Sequence, residues 1–387
     1  MMIPYGRQDI TENDIEAVID VLRSDFLTQG PIVKKFEDKV SEYCGSSHAF
    51  ALNSATSALH VACLALDVGP GDIVWTSPIT FVASSNCALY SGAEIDFVDI
   101  DPLTYNICCD QLRVKLRGAK RNGTLPKAVI PVHLTGQSCD MESIRQLSEE
   151  YGFSVIEDAS HAVGGRYKDD AIGSCKYSDI CVFSFHPVKI ITTGEGGMVL
   201  TNNNELAAKL NRLRSHGITR DPACMGNQDP DPWYYEQIAL GFNYRMTDLQ
   251  AALGLSQLDR LDEYVTVRNQ LAERYDGLLA DFPLISPLQS QDCYSSRHLY
   301  VIRLKLDEID KSRRQVFESL RARGIGVQIH YIPVPSQPYY KDMGFSDKDY
   351  PNGLSYYNEA ISLPLFPTMT REEQDKVVAV LQEILMP

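Results

Sequence analysis

Strands and helices alternate through the first half of the chain, and this alternation limits the fold more than any other feature of the sequence. The apolar runs 95–98, 128–132 and 153–156 predict strands, and the periodic segments 110–116 and 141–151 predict helices between them. Parallel strands need a long crossover connection, which is usually a helix. The pattern therefore predicts an α/β fold with a largely parallel sheet.

Ligands of such sheets collect outside the carboxyl ends of the strands. Several residues with useful chemistry or shape fall at or just past predicted strand ends, namely Ala55, Phe81, His133, Asp158 and Lys189. Each has an ordinary explanation by itself, such as a core aromatic or a solvated lysine. Five of them on one rim predict a functional site there.

Lys189 and Asp158 suggest which chemistry the site performs. Lys189 ends the segment SFHPVK at 184–189, and a glycine-rich turn follows at 194–197. A lysine that forms a Schiff base and an aspartate that pairs with a pyridinium nitrogen are the two groups that pyridoxal phosphate chemistry requires. A lysine displaced from the cofactor can also move a proton as general base and acid, which favours transamination.

Small residues surround a predicted strand-to-helix turn at 53–58. Open amides and hydroxyls at a helix start bind phosphate, which would make Ala55 and Thr56 cofactor ligands, together with Ser184. An ordinary helix cap is the alternative explanation. His161, three residues after Asp158, is either a neighbour of the cofactor ring oxygen or a structural histidine.

The length of 387 residues predicts two domains. We place a large cofactor-binding domain at 1–255 and a smaller domain at 256–387, joined through a long helix that starts near residue 241 and ends near residue 279. In the smaller domain the pattern predicts strands at 299–306 and 325–329 around a helix at 313–323, and a capping box at 370–373 begins a final helix.

The net charge of −15 argues against a nucleic-acid surface. The ten cysteines have no zinc-like spacing with histidines, so reduced thiols and no metal site are expected. The amino-terminal residues lack a leader pattern, and no apolar run is long enough to cross a bilayer. These features predict a cytoplasmic protein without a membrane segment.

Five motifs together resemble one family, the DegT/DnrJ/EryC1/StrS sugar aminotransferases. They are NSATSALH at 53–60, EDASHA at 157–162, SFHPVK at 184–189, TGEGG at 193–197 and GFNYRM at 241–246. The resemblance implies the aspartate aminotransferase fold, which is fold type I of the PLP-dependent transferases, with a large mainly parallel-sheet domain and a smaller α+β domain at the carboxyl terminus. It also implies a homodimer in which both subunits build each active site.

The same resemblance implies a role for each matching residue. Lys189 would carry the cofactor and act as general acid and base, Asp158 would pair with the pyridinium nitrogen, and His161 would lie beside the ring hydroxyl. The residues expected around the cofactor are Ala55, Thr56 and Ser184 at the phosphate, Phe81 stacked on the ring, and Asn243 from the partner subunit. Candidate substrate contacts are Thr28, Gln29, His330 and Tyr331.

Within the family, the loop at 24–31, the phosphate-loop sequence and the segment 254–258 most resemble the transaminases of the pseudaminic acid pathway. This implies transfer of an amino group from glutamate, through the pyridoxamine phosphate form, to the 4-keto carbon of a UDP-linked 4-keto-6-deoxy-N-acetyl-hexosamine. Enzymes acting on GDP-perosamine precursors or dTDP-linked sugars differ only in short loops and remain alternatives. A PLP-binding regulator without turnover is a third possibility.

Overall fold

The computed structural model describes residues 2–227 and 229–386. Its strands, in chain order, are β1 (His48–Leu52), β2 (Ile73–Thr76), β3 (Glu94–Phe97), β4 (Ala128–Ile130), β5 (Ser154–Asp158), β6 (Arg166–Tyr167), β7 (Asp170–Ala171), β8 (Ile180–Ser184), β9 (Gly197–Thr201), β10 (Ile218–Thr219), β11 (Glu236–Gln237), β12 (Leu284–Ile285), β13 (Cys293–Tyr294), β14 (Tyr300–Leu304) and β15 (Ala360–Leu363).

The helices surround two of the sheets that these strands form. In chain order they are α1 (Glu12–Arg23), α2 (Pro31–Cys44), α3 (Ala55–Ala65), α4 (Ala83–Tyr90), α5 (Cys109–Asn122), α6 (Met141–Tyr151), α7 (Asn204–Leu213), α8 (Asp248–Leu258), α9 (Leu261–Leu278), α10 (Arg313–Ala322), α11 (Pro338–Asp342), α12 (Pro351–Glu359) and α13 (Arg371–Leu385).

The central sheet has seven strands in the order β1-β9-β8-β5-β4-β2-β3. Strands β8, β5, β4, β2 and β3 pair in parallel, whereas β9 runs antiparallel to both of its neighbours, β1 and β8. The prediction of a mainly parallel sheet is confirmed. The carboxyl ends of β5 and β8 lie side by side, because Asp158 is in register with Val182.

Helices cover both faces of this sheet. Val182 belongs to the apolar cluster formed with α3, whereas its neighbours Cys181 and Phe183 belong to the cluster formed with α2 and the start of α9. Successive side chains of a strand point to opposite faces, so a strand covered on both sides reads as a continuous apolar run. This is why the predicted strands carry no alternation of polar and apolar residues.

A smaller antiparallel sheet, β12-β14-β15, lies in the carboxyl-terminal part of the chain. Its apolar side packs against α10 and α13. The predicted helix at 313–323 is confirmed as α10, and Thr370 and Glu373 form the predicted capping box of α13. The predicted strand at 325–329 is wrong, since Ile325 and Gln328 make only isolated bridges with Ile3 and Ser362.

The long helix predicted from residue 241 to residue 279 is two helices. The first, α8, begins only at Asp248, and the chain turns at Asp259 and Arg260 before α9 begins. The front of α9 packs with the central sheet and its later turns pack with the small sheet, so α9 contributes to both cores. The division into 1–255 and 256–387 stays a prediction.

All ten cysteines are free thiols. Among the described residues, no helix is both long enough and apolar enough to cross a membrane.

Candidate active site

A cavity of about 450 Å³ opens beyond the carboxyl ends of β5 and β8. Most of the residues predicted for the site line it, although they come from segments that are far apart in the sequence. These are Ala55, Thr56, Phe81, Asp158, His161, Ser184, Lys189, His330 and Tyr331. Four of the five residues predicted at the rim, Ala55, Phe81, Asp158 and Lys189, therefore belong to one concave site.

One end of the cavity is the start of helix α3. The side chain of Ser54 caps this helix by accepting the amide of Ser57 at 3.1 Å. In the described chain the amides of Ala55 and Thr56 have no acceptor, as expected for the first turn of a helix. They are free to bind an anion, which the helix dipole favours at this end.

Gly197 allows β9 to approach the start of α3 closely. A Cβ atom at this position would lie 2.6 Å from the amide nitrogen of Ala55 and 2.6 Å from the carbonyl carbon of Ser54. Any other residue would push the helix start away from the sheet. Gly197 of the sequence motif therefore leaves the space that the helix start, with its free amides, needs beside β9.

Asp158 is the last residue of β5 and is 5% exposed. Its Oδ2 atom accepts the hydroxyl of Ser84 at 2.6 Å, and its Oδ1 atom accepts the amide of Ser160 at 3.1 Å. Both oxygens of the carboxylate are therefore fixed by donors of this chain. A buried carboxylate held in this way can receive a cationic or N–H group of a ligand.

His133 is the one residue of the predicted rim that does not line the cavity. Its ring accepts the amide of Cys139 at Nδ1 and pairs through Nε2 with the carboxylate of Glu157 at 2.7 Å. Glu157 and Asp158 are consecutive residues of β5, so their side chains point to opposite faces. His133 lies on the Glu157 side, and the interpretation of it as a site residue is wrong.

Lys189 lies in the turn after β8 and lines the cavity as a half-buried side chain. The turn is closed by the amide of Lys189, which donates to the carbonyl of His186 at 2.9 Å. Burial lowers the pKa of Lys189 to about 8, and the charge of Asp158 opposes this shift. About a tenth of the amine is then neutral and nucleophilic at pH 7, far more than at the ordinary lysine pKa.

His161 is held in one tautomer by its two neighbours. Its Nδ1 atom accepts the amide of Thr135 at 3.3 Å, and its Nε2 atom lies 3.0 Å from the hydroxyl of Tyr331. Burial, together with the charge of Lys189, holds the pKa of His161 well below its ordinary value. The ring is therefore neutral, its proton is on Nε2, and it donates to Tyr331.

His330 and Tyr331 also line the cavity. His330 bonds through Nδ1 to the hydroxyl of Ser362 at 2.8 Å, and burial lowers the pKa of His330 to about 3. The hydroxyl oxygen of Tyr331 accepts the hydrogen bond from Nε2 of His161, so its own proton is free for another acceptor. Both residues offer neutral hydrogen-bonding groups to a ligand.

Three predicted residues are not among those that line this cavity. Thr28 forms a bridge with Thr247, Gln29 has a positive φ of 56° next to Gly30, and Asn243 forms a bridge with Ser215. Asn243 was predicted to act on the partner's site, and its absence from its own cavity is compatible with that prediction. The roles of Thr28 and Gln29 stay predictions.

Several residues in or beside the cavity were not predicted. The most important is Ser84, which does not line the cavity but holds the carboxylate of Asp158. Thr80, Ser160, Glu195 and His298 line the cavity. Serine and threonine are too common for their identity to signal a site. Ser84 lies 74 residues from Asp158, so no local pattern in the sequence indicates this contact.

Comparison with known proteins adds to this geometry. The family model for the DegT/DnrJ/EryC1/StrS aminotransferase family matches residues 8–382. The chain is 40% identical to the spore coat polysaccharide biosynthesis protein SpsC of Bacillus subtilis, over 99% of this chain and 97% of that protein. It is 38% identical to the UDP-4-amino-4,6-dideoxy-N-acetyl-beta-L-altrosamine transaminase of Campylobacter jejuni, over 99% of this chain and 98% of the other.

Solved structures agree over the same length. PseC of Helicobacter pylori, an aminotransferase of pseudaminic acid biosynthesis, is 31% identical and superposes with a TM-score of 0.90, covering 100% of this chain and 99% of PseC. The sugar aminotransferase Spr1654 of Streptococcus pneumoniae, solved in PLP and PMP forms, is also 31% identical, and its PLP form has a TM-score of 0.87 and covers 100% of both chains. The predicted fold of PLP-dependent sugar aminotransferases is confirmed, and the chain belongs to the DegT/DnrJ/EryC1/StrS aminotransferase family.

Proposed function

We propose that the protein is a pyridoxal phosphate-dependent transaminase that moves an amino group from glutamate to the 4-keto carbon of a UDP-linked 4-keto-6-deoxy-N-acetyl-hexosamine. One observation carries the proposed chemistry, namely that Lys189, with its pKa lowered to about 8, shares a cavity with the buried carboxylate of Asp158. The named Campylobacter and Helicobacter relatives support the proposed substrate class.

The residues present fit the cofactor. The free amides of Ala55 and Thr56, with the hydroxyl of Ser184, offer a phosphate site at one end of the cavity, and Asp158 offers an anion for a ring nitrogen. The amine of Lys189 belongs to the same cavity. Phosphate, pyridinium nitrogen and aldehyde would thus each meet a chemically matching group of this chain.

Pyridoxal phosphate supplies a ring that withdraws electrons from the reacting carbon. Lys189 would hold the cofactor through its neutral amine and, when free, would accept on Nζ the proton that leaves the donor carbon. Asp158 would stabilise a positive charge on the ring nitrogen, and the α3 amides would hold the phosphate. Neutral His161, His330 and Tyr331 bind and orient polar groups without adding charge.

The pKa of Lys189 predicts how cofactor capture depends on pH. Only the neutral amine attacks an aldehyde, so the rate at which the unloaded protein captures pyridoxal phosphate is expected to fall about tenfold per pH unit below pH 8 and to level off above it. Because the charge of Asp158 raises this pKa, Asp158→Asn should move the midpoint to lower pH. Borohydride trapping followed by mass spectrometry measures the rate, and a midpoint near 10.5 would contradict the assignment.

The substrate is tested by giving the loaded protein glutamate and a panel of UDP-, GDP- and dTDP-linked 4-keto sugars, with the amino product identified by mass and NMR. We expect amination of the UDP-linked 4-keto-6-deoxy-N-acetyl-hexosamine. Turnover of the GDP- or dTDP-linked sugars alone would overturn the proposed substrate. Cofactor binding without turnover of any sugar would favour the regulator.

Another nucleotide-linked keto sugar is the second candidate. The observation that favours it is the 40% identity to a spore coat polysaccharide biosynthesis protein, which is slightly above the 38% identity to the altrosamine transaminase. The chemistry at Lys189 and Asp158 is the same for both substrates. The panel of sugars separates the two candidates directly.

We also propose that the protein is a homodimer and that Asn243 reaches the cofactor phosphate of the partner. The proposal is supported by the absence of Asn243 from the residues that line its own cavity, and by exposed apolar side chains just before it, including Trp233 (73% exposed) and Leu240 (80% exposed). Exposed apolar patches of this kind mark interaction surfaces.

Mixing two inactive variants tests this shared site. If Lys189→Ala and Asn243→Ala are both inactive as pure dimers, random exchange of subunits should restore about a quarter of the wild-type activity, because half of the dimers then contain one intact site. Light scattering gives the mass of the particles. Recovery of no activity from exchanged dimers would show that Asn243 does not act across the interface.

We place the protein in the cytoplasm. The ten free thiols support this location, since reduced cysteines are typical of that compartment. Cell fractionation with an antibody against the chain tests the proposal, and recovery in the membrane or extracellular fraction would reject it.

A further inference from the structure

A buried pair of hydroxyl groups lies behind the Asp158 carboxylate. The Oγ atom of Ser84 is 2.6 Å from Oδ2 of Asp158, and the Oγ1 atom of Thr80 is 2.7 Å from Oγ of Ser84. The exposed fractions are 0% for Ser84, 2% for Thr80 and 5% for Asp158. The three side chains form a continuous chain of hydrogen bonds that excludes solvent.

The direction of these two hydrogen bonds follows from the number of protons that each group can donate. An ionised carboxylate can only accept, so the single hydroxyl proton of Ser84 is donated to Asp158. Ser84 can then act only as an acceptor towards Thr80, which must donate its own proton. This chain of hydrogen bonds, called the relay below, runs from Thr80 through Ser84 to Asp158. Only one set of hydroxyl proton positions satisfies both bonds.

One short segment supplies this relay together with a wall of the cavity. Thr80 and Phe81 lie just before Val82, the N-cap of α4, and both line the cavity, whereas Ser84 is the second residue of that helix. The amide of Ser84 donates to the carbonyl of Phe81 at 3.2 Å. A shift of this turn would move Phe81 and the support of Asp158 together.

We propose that Thr80 and Ser84 are positioning residues that fix the Asp158 carboxylate for the ring nitrogen of the cofactor. Ser84 holds Oδ2 while the amide of Ser160 holds Oδ1, so the carboxylate cannot rotate away from the cavity. Ser84 is not among the residues that line the cavity, and it acts only through Asp158. This inference depends on the proposed use of pyridoxal phosphate.

The test compares Ser84→Ala with Ser85→Ala, which is a matched control. Ser85 is the next residue of α4 and is also 0% exposed, but its hydroxyl bonds to the carbonyl of Val82 and to Tyr340 rather than to Asp158. Equilibrium dialysis of the unloaded full-length proteins against pyridoxal phosphate gives Kd, and kcat and KM for glutamate are measured on the loaded enzymes.

Ser84→Ala is expected to raise Kd by about tenfold to a hundredfold, the effect of losing one hydrogen bond to a charged group. Its kcat should fall with little change in KM, and Thr80→Val should show a smaller effect in the same direction. Ser85→Ala should stay within about threefold of the wild type. Equal Kd values for the two alanine variants, with similar melting temperatures, would overturn the proposal.

A double-mutant cycle tests whether Ser84 acts through Asp158. In an Asp158→Ala background, Ser84→Ala is expected to leave Kd unchanged within about twofold, because the group it positions is gone. Additive effects of the two substitutions would show a general structural role and reject the inference. Failure of the wild-type protein to bind pyridoxal phosphate would instead reject the proposed function.

Discussion

Replacing Lys189 with alanine is expected to abolish covalent capture of pyridoxal phosphate and to lower kcat by at least about 10⁴-fold. The variant loses the amine that binds the cofactor and the group that moves the proton, and positioned proton transfer alone contributes about 10²–10⁴-fold. Borohydride reduction followed by peptide mapping checks the first effect. The second is measured as turnover of glutamate and the nucleotide-linked keto sugar.

Lys115→Ala is a suitable control for this experiment. Burial lowers the pKa of Lys115 as well, but its amine bonds to the carbonyl of Phe97 and pairs with Asp96, away from the cavity. This variant should keep its covalent cofactor and its turnover. Full turnover by Lys189→Ala, or loss of capture in both variants, would contradict the assignment of Lys189.

The second large effect is expected for Asp158→Asn, which should lower kcat by about a thousandfold. An ion pair between Asp158 and a ring nitrogen about 4 Å away is worth about 4 kcal/mol at an effective dielectric constant of about 20. Asparagine keeps the size of the side chain and removes its charge. Single-turnover kinetics with glutamate measure the chemical step without product release.

Asp140→Asn controls for the loss of one carboxylate. Asp140 caps α6 by accepting the amide of Ser143 at 3.2 Å and does not line the cavity. Asparagine is also a good helix cap, so this variant should keep its turnover. An Asp158→Asn enzyme that retained wild-type single-turnover rates would show that the ring nitrogen does not need this charge.

The local sequence pattern was sufficient to predict much of the structure in the amino-terminal part of the chain. The predicted strand ends brought Ala55, Phe81, Asp158 and Lys189 to one cavity, because parallel strands place their carboxyl ends at the same edge. The same reasoning failed for His133, since one residue of difference in register turns a side chain to the other face of the sheet. The pattern of apolar residues cannot show this when both faces are buried.

The errors in the carboxyl-terminal part of the chain have a related cause. The strand β15 was not predicted because it follows α12 without a turn residue, whereas 325–329 has strand-like residues but only isolated bridges. The break between α8 and α9 was missed because neither glycine nor proline marks Asp259 and Arg260. In these segments tertiary pairing decides the structure against local propensity.

The sequence by itself determined the α/β class, the family resemblance and the residues Lys189 and Asp158, because spacing and residue type are local properties of the chain. Only the tertiary structure decided that β9 runs antiparallel, that His161 is a neutral donor to Tyr331, and that Ser84 holds Asp158. Ser84 and Asp158 are 74 residues apart. Contacts over such distances arise from the packing of whole elements, which no local pattern specifies.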